Sequence, residues 1–193
     1  GPDPNISNNR SVKFNLDGTK MFLIDVSSNK RVVEFNLSTP YDTSTVTEGN
    51  SFAISGTTTV LQDFSFDDDG TRMYVIESGT SPGARFIYVY KLSTGFNITT
   101  ATFAGKVQQV FEAVGSDGTN GTPLGMGFSE DGMKLYQVTY HSGQEGNRDR
   151  IHEYDLSCPY GIVICEVETT SVIGAQVEIA KNVIHQNSST ILK

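Results

Sequence analysis

The chain contains no tryptophan, only two cysteines and only three histidines among its 193 residues. With so few cysteines and histidines, none of them at ligand spacing, a zinc site is not expected. No stretch approaches the roughly 18 consecutive apolar residues that a membrane-spanning helix needs. Basic residues are also scarce, because 14 Lys and Arg stand against 22 Asp and Glu, a formal net charge of -8. This charge argues against nucleic acid as the main partner, since such proteins present a basic surface.

A segment built around Asp-Gly occurs three times, at 14–24, 66–76 and 128–138. In each copy a phenylalanine precedes the glycine by four residues, and a basic-apolar-aromatic run follows the turn. Asp-Gly favours a tight turn because glycine adopts a positive φ without steric cost. Each copy therefore predicts a β-hairpin.

Two further blocks follow each hairpin. The first, at 32–39, 87–94 and 151–158, alternates apolar and polar residues and predicts a third strand. The second is looser and begins at Tyr41, Phe96 and Tyr160. The segments expected to supply fourth strands are 52–54, 110–114 and 162–167. Four short antiparallel strands, repeated about every 50 to 60 residues, are typical of β-propeller blades.

We therefore predict an all-β fold of three propeller-type blades, at about 11–58, 59–122 and 123–168. Residues 1–10 are expected to be a tag remnant and an N-terminal segment. Apolar residues recur at helical spacing near the C-terminus, so 169–193 is predicted to be an amphipathic helical tail. A β-sandwich or an open β-solenoid with the same hairpins is the alternative architecture.

Three blades are fewer than the four to eight of closed propellers, and they leave two open edges. Two copies of the chain could complete a six-bladed ring by self-association. The chain could instead belong to a longer parent protein that supplies the other blades, or the tail could cover an edge.

The runs at 12–22 and 33–42 resemble the propeller repeats of large surface proteins of marine bacteria and of some of their phages. Those repeats are akin to the seven-bladed and WD-like propellers, and the resemblance covers about residues 10–160. It implies an exported, autotransporter-like protein. The cysteine pair and the tail are similar to the segment that joins such repeats to a membrane translocator. The resemblance supplies no catalytic residue.

The two cysteines, Cys158 and Cys165, lie close in sequence and can close a short loop as a disulfide. The alternative is a pair of buried free thiols. A disulfide fits an oxidising compartment, so an extracellular or cell-surface location is predicted.

Candidate binding residues lie in or beside the long hairpin loops at 77–86 and 141–150, which are expected to form one rim of the propeller. The candidates are Arg85, Tyr140, His141, Arg148 and His152. Tyrosine and arginine are common at binding hot spots, and two histidines near acidic residues can assist metal binding or proton transfer. The alternative for the third loop is a solvated hairpin tip.

The function predicted from these features is a non-enzymatic surface module that binds a ligand, without metal or cofactor. A channel-centred enzyme or metal-assisted lyase, and a structural spacer in a repeat array, are the alternatives. Catalysis needs positioned titratable groups. The first strands, read at 12–14, 64–66 and 126–128, carry no histidine or carboxylate, so the enzyme is the less favoured hypothesis.

Overall fold

The computed structural model describes residues 8–56, 60–79, 85–109, 121–140, 150–163 and 185–191, the last range by its backbone alone. Three antiparallel four-stranded sheets form, and in each the strands pair in chain order. Blade 1 contains β1 (Asn9–Phe14), β2 (Lys20–Asp25), β3 (Arg31–Leu37) and β4 (Val46–Ala53). Blade 2 contains β5 (Val60–Phe66), β6 (Arg72–Ser78), β7 (Phe86–Leu92) and β8 (Ala101–Gln108). Blade 3 contains β9 (Thr122–Phe128), β10 (Lys134–Tyr140), β11 (Arg150–Asp155) and β12 (His185–Ile191). The predicted all-β fold with three four-stranded blades is confirmed.

The Asp-Gly turns join the first and second strands of each blade, as predicted. In blade 1, the Gly18 N–H donates to the Asn15 carbonyl oxygen at 3.2 Å. The Asp17 carboxylate accepts from the Thr19 N–H at 2.9 Å. The turn glycine has a φ of +70°, a conformation that side chains other than glycine rarely adopt. Gly70 and Gly132 repeat it at +71° and +68°.

The looser block that begins at Tyr41, Phe96 or Tyr160 has a defined role, because this aromatic residue closes the turn of the same blade. The rings of Tyr41, Phe96 and Tyr160 lie against the turn glycines, where an added Cβ would sit 2.4 Å from a ring atom. The backbone N–H groups of these three aromatic residues donate to the carbonyl oxygens of the turn glycines at 2.9, 3.0 and 2.8 Å. We call each glycine with its aromatic residue a sealed turn.

The fourth strands match the prediction only in blade 1, where the predicted segment 52–54 overlaps the end of β4. β4 and β8 begin directly after the looser blocks that start at Tyr41 and Phe96, each behind a short 3-10 turn capped by Asp42 or Asn97. The segment predicted for blade 2, 110–114, lies outside the described residues. In blade 3 the fourth strand is β12, which pairs along β11. This strand lies within the range predicted to be helical, and the rest of that tail lies outside the described residues.

A second-strand aromatic anchors each blade on the next. Phe22 of blade 1 lies 4.9 Å from Phe66 and 6.4 Å from Phe96, centroid to centroid. Tyr74 of blade 2 lies 4.8 Å from Phe128 of blade 3. Its hydroxyl donates to the Tyr160 carbonyl oxygen at 2.6 Å. We call these two groups the aromatic triads. They bury Phe22 and Tyr74 completely.

The inner strands β1, β5 and β9 lie side by side, with β5 between the other two. Among the described residues there is no helix long and apolar enough to span a membrane.

Candidate functional site

The two rims of the blades differ in chemistry. The sealed turns occupy one rim, which we call the turn rim. The opposite rim, which we call the loop rim, is where the second strand of each blade ends and the third begins. The connections there lengthen along the chain, covering 26–30, 79–85 and 141–149. Buried polar side chains concentrate in the strand ends near this rim, namely Asp25, Asp63, Glu77, Ser78, Arg85, Gln109, Thr139 and His152.

Asp63 of β5 joins the inner strands of all three blades. Its Oδ1 accepts a hydrogen bond from the Ser11 hydroxyl of β1. Its Oδ2 accepts from the Met126 N–H of β9 at 2.8 Å. The Phe64 N–H donates to Oδ1, also at 2.8 Å. A single buried carboxylate therefore makes polar contact with all three sheets.

Two cations of β1 lie beside this carboxylate. The Lys13 Nζ is 3.6 Å from Asp63 Oδ1, and the Lys13 side chain is 31% exposed, so it can reach a ligand. Arg10 donates to the side-chain carbonyl of Gln62, the residue next to Asp63. The Gln62 amide in turn donates to the Ser78 hydroxyl at 2.6 Å. In a chain of net charge -8, this pair of cations on an inner strand favours an anionic or carbonyl-bearing ligand.

A second polar group joins blade 2 to both of its neighbours, because Gln109 contacts Gln137 of blade 3 and the Tyr88 hydroxyl donates to the Gly56 carbonyl oxygen that follows blade 1. The Gln137 amide donates to the Gln109 side-chain oxygen at 2.5 Å. The Gln109 amide donates to the Glu77 carbonyl oxygen at 3.4 Å. The Tyr88 hydroxyl donates to the Glu77 carboxylate at 2.7 Å. Burial and this carboxylate raise the pKa of Tyr88. Each of these hydrogen bonds pairs a buried donor with an acceptor, so the group stabilises the packing of blade 2.

Of the five predicted binding residues the structure describes three, and these three do not share one exposed surface. Arg85 is 4% exposed, and its Nε donates to the Gly79 carbonyl oxygen at 3.1 Å. His152 is fully buried, with its Nε2 2.9 Å from the Thr139 hydroxyl. Neither side chain can meet a ligand at the surface in this conformation. Tyr140 is exposed at the end of β10. His141 and Arg148 lie outside the described residues.

The cysteine prediction concerns two residues, of which the structure describes one. Cys158, which follows β11, is disulfide-bonded. Cys165 lies outside the described residues.

The acidic run at 67–69 is part of a sealed turn. The Asp67 Oδ1 accepts from the Arg72 N–H at 2.8 Å, and its Oδ2 accepts from the Thr71 hydroxyl at 3.2 Å. Burial raises the pKa of Asp67 from 3.8 to about 6. Its neighbour Asp69 has a lowered pKa, because the Thr71 hydroxyl and N–H donate to it. The pKa values of the two carboxylates in this turn are therefore shifted in opposite directions, so a rise in pH affects their contributions to stability in opposite ways.

We expect the Asp67→Asn variant to be more stable than the parent at neutral pH and equal to it in acid. Because the folded state holds the Asp67 proton more tightly, its contribution to stability is full below about pH 4 and falls as the pH rises to about 6. An amide already serves at this position in blade 1, where Asn15 accepts from the Lys20 N–H at 2.8 Å. Thermal unfolding of both proteins across this pH range measures the difference.

Asp69→Asn is the control from the same turn. Its carboxylate stabilises the fold when charged, so this variant should be less stable than the parent at neutral pH and approach it in acid. If the stabilities of the parent and of Asp67→Asn change with pH in the same way, the raised pKa of Asp67 is contradicted.

Comparison with solved structures identifies the architecture. A candidate 6-phosphogluconolactonase from Bacteroides fragilis aligns over 96% of this chain and 42% of its own length, with a TM-score of 0.50 and 16% identity. A second such protein, from Bacteroides uniformis, aligns over 97% of this chain and 44% of its own, at a TM-score of 0.50 and 14% identity. The chain has a β-propeller-like fold. It spans less than half the length of these relatives. No family model and no curated protein matches it.

These likenesses correct the functional prediction. The non-enzymatic surface module was expected from long loops and from inner strands without carboxylates. Both solved neighbours are named as candidate enzymes, so the prediction of a non-enzymatic module is wrong. The structure also removes one reason for that prediction, because Asp63 lies in inner strand β5, one residue before the segment read as 64–66.

Proposed function

We propose that this chain forms part of an enzyme that hydrolyses a cyclic ester of a sugar acid, with Lys13 and Asp63 at its centre. The observation that carries the proposal is the Lys13–Asp63 pair, 3.6 Å apart, where three inner strands meet. The proposal draws its substrate class from the two solved neighbours, which are named as candidate 6-phosphogluconolactonases.

Ester hydrolysis needs a base for the attacking water and a positive group near the oxygen that gains charge. Lys13 is suited to the second task, because its ammonium is partly exposed and held near the inner strands. Asp63 Oδ1 is suited to the first, since its position is fixed by bonds from Ser11 and Phe64. Water adds to the ester carbonyl and gives a proton to Asp63. The ring C–O bond then breaks, and the leaving oxygen takes up that proton.

Arg10 adds a reason to expect an anionic substrate. It lies three residues before Lys13, and its guanidinium donates to Gln62, beside Asp63. A guanidinium binds phosphate or carboxylate groups through paired hydrogen bonds. A phosphorylated sugar lactone therefore suits this group of residues better than a neutral lactone.

The test is proton release from δ-gluconolactone and from its 6-phosphate, each corrected for hydrolysis in buffer alone. We expect the Lys13→Ala variant to lose about a hundredfold in kcat/KM, the usual cost of removing one oxyanion-stabilising donor. Lys106→Ala is the matched control, because Lys106 of β8 lies 4.1 Å from the Phe86 ring and is remote from β1 in the fold.

Two outcomes would contradict this function. One is hydrolysis by the parent protein at the buffer rate with both lactones. The other is an equal effect of the Lys13 and Lys106 substitutions, which would mean that any activity lies elsewhere.

An exported protein is a separate proposal. The disulfide at Cys158 supports an oxidising compartment, because such bonds persist mainly outside the cytosol. The resemblance to surface repeats of marine bacteria and their phages stays a prediction, as does an autotransporter-like context.

A further inference from the structure

The two end blades each present one half of an aromatic triad. In blade 3, Tyr136 stands at the position that Phe22 and Tyr74 hold in blades 1 and 2, four residues after the turn glycine. Those two are completely buried by the next blade, whereas Tyr136 is only half-buried. Among the described residues no further blade covers it.

Blade 1 presents the other half. Phe14 and Tyr41 hold the positions of Phe128 and Tyr160, the two residues of blade 3 that cover Tyr74. The Phe14 and Tyr41 rings lie 5.4 Å apart, close to the 5.1 Å between Phe128 and Tyr160. Tyr41 is 58% exposed. The covering half of a triad is therefore already assembled, and no second-strand aromatic of the described blades lies beneath it.

A basic residue crosses each blade interface beside the triad. Lys20 of blade 1 donates to the Phe96 carbonyl oxygen of blade 2 at 3.3 Å. Arg72 of blade 2 reaches the Pro159 carbonyl oxygen of blade 3 at 3.5 Å. Lys134 holds the same position in blade 3, with its side chain 39% exposed. The polar part of the interface is thus repeated together with its aromatic part.

We propose that two copies of this chain associate head to tail, with Tyr136 of each copy seated against Phe14 and Tyr41 of the other. The occupant is a second copy because the chain carries both complementary halves. The contact continues the interface that already joins its own blades. Two such contacts between two three-bladed chains close a ring of six blades and leave no free half. The Tyr136 hydroxyl then donates to the Tyr41 carbonyl oxygen, as Tyr74 does to Tyr160.

Light scattering over a micromolar concentration series tests this contact. We expect a mass near twice the 21.0 kDa of the chain. Tyr136→Asp and Tyr41→Asp should each weaken the dimer at least about tenfold, because each places a charge in an aromatic contact. Val60→Asp is the control. Val60 is also an exposed apolar strand residue, but it belongs to the central blade, which is covered on both sides.

A mixture of the two variants distinguishes this head-to-tail contact from a symmetric contact in which the same surface of each copy meets itself. Each variant retains one intact half, so mixing Tyr136→Asp with Tyr41→Asp restores one complete triad and should restore part of the dimer. Thermal unfolding of each variant alone verifies that it folds. A monomer at every concentration overturns the proposal, and points to further blades of a longer chain as the occupant. A dimer that neither substitution weakens, or that mixing fails to restore, also overturns it.

Discussion

Replacing Gly70 with alanine will destabilise the protein by about 3 kcal/mol, in the upper range for a single substitution. Gly70 has a φ of +71°, and an added Cβ would lie 2.4 Å from the Phe96 ring and 2.6 Å from its backbone nitrogen. The methyl group therefore adds a clash to the backbone strain. Relief requires the Phe96 ring to move, and that ring belongs to an aromatic triad. Urea unfolding monitored by circular dichroism measures the loss.

Gly56 provides the matched control, because it has a similar φ of +75° and nothing within 4 Å of the added Cβ. Gly56→Ala introduces the backbone strain alone, about 1 kcal/mol. The difference between the two variants isolates the sealed turn. Equal losses would mean that the aromatic ring yields easily and that the turn is not sealed in solution.

Asp63→Ala will have the second large effect on stability, also about 3 kcal/mol. It removes the acceptor of the buried Met126 and Phe64 N–H groups and the partner of Lys13. A buried donor left without an acceptor costs about 1 to 3 kcal/mol. Because these donors lie in β9, β5 and β1, the substitution weakens the contact of all three blades at once.

Asp131→Ala tests whether burial decides the cost of losing this carboxylate. Asp131 also accepts from a backbone N–H, that of Met133 at 3.0 Å, but it is exposed, so water replaces the lost acceptor. We expect Asp131→Ala to lower the free energy of unfolding by clearly less than Asp63→Ala does. If Asp63→Ala costs no more than Asp131→Ala, then Asp63 does not connect the blades in solution.

The hairpins were predictable from sequence because their determinants are local. Asp-Gly, the phenylalanine before it and the aromatic run after it lie within about a dozen residues, and they recur three times. The fourth strands were harder to find. β8 contains Gly105, whose φ is +148°, and two of its four apolar residues are alanines, which give a weak strand signal. β12 is mostly polar, and Ile184 before it and Ile191 at its end have the sequence spacing of two helical turns. Its strand conformation depends on pairing with β11, which no local pattern reveals.

Asp63 was missed for a related reason. Its sequence context, Leu-Gln-Asp-Phe, has no counterpart at the matching positions of the other blades. Its partners Ser11 and Met126 lie 52 and 63 residues away along the chain. Arg85 shows the opposite error, because a loop-edge arginine suggests an exposed contact, yet the fold buries it. Side chains whose roles come from distant strands need the assembled sheets to be interpreted.

The two rims differ in how much their connections vary, because the turn rim has one fixed geometry and the loop rim has connections of different lengths. Connections at the loop rim grow from residues 26–30 to 141–149, while the sealed turns keep the same hydrogen bonds in all three blades. Length can therefore be gained or lost at one end without changing the geometry at the other. Such a scaffold can acquire new surface segments by insertion at the loop rim while each blade keeps its sealed turn.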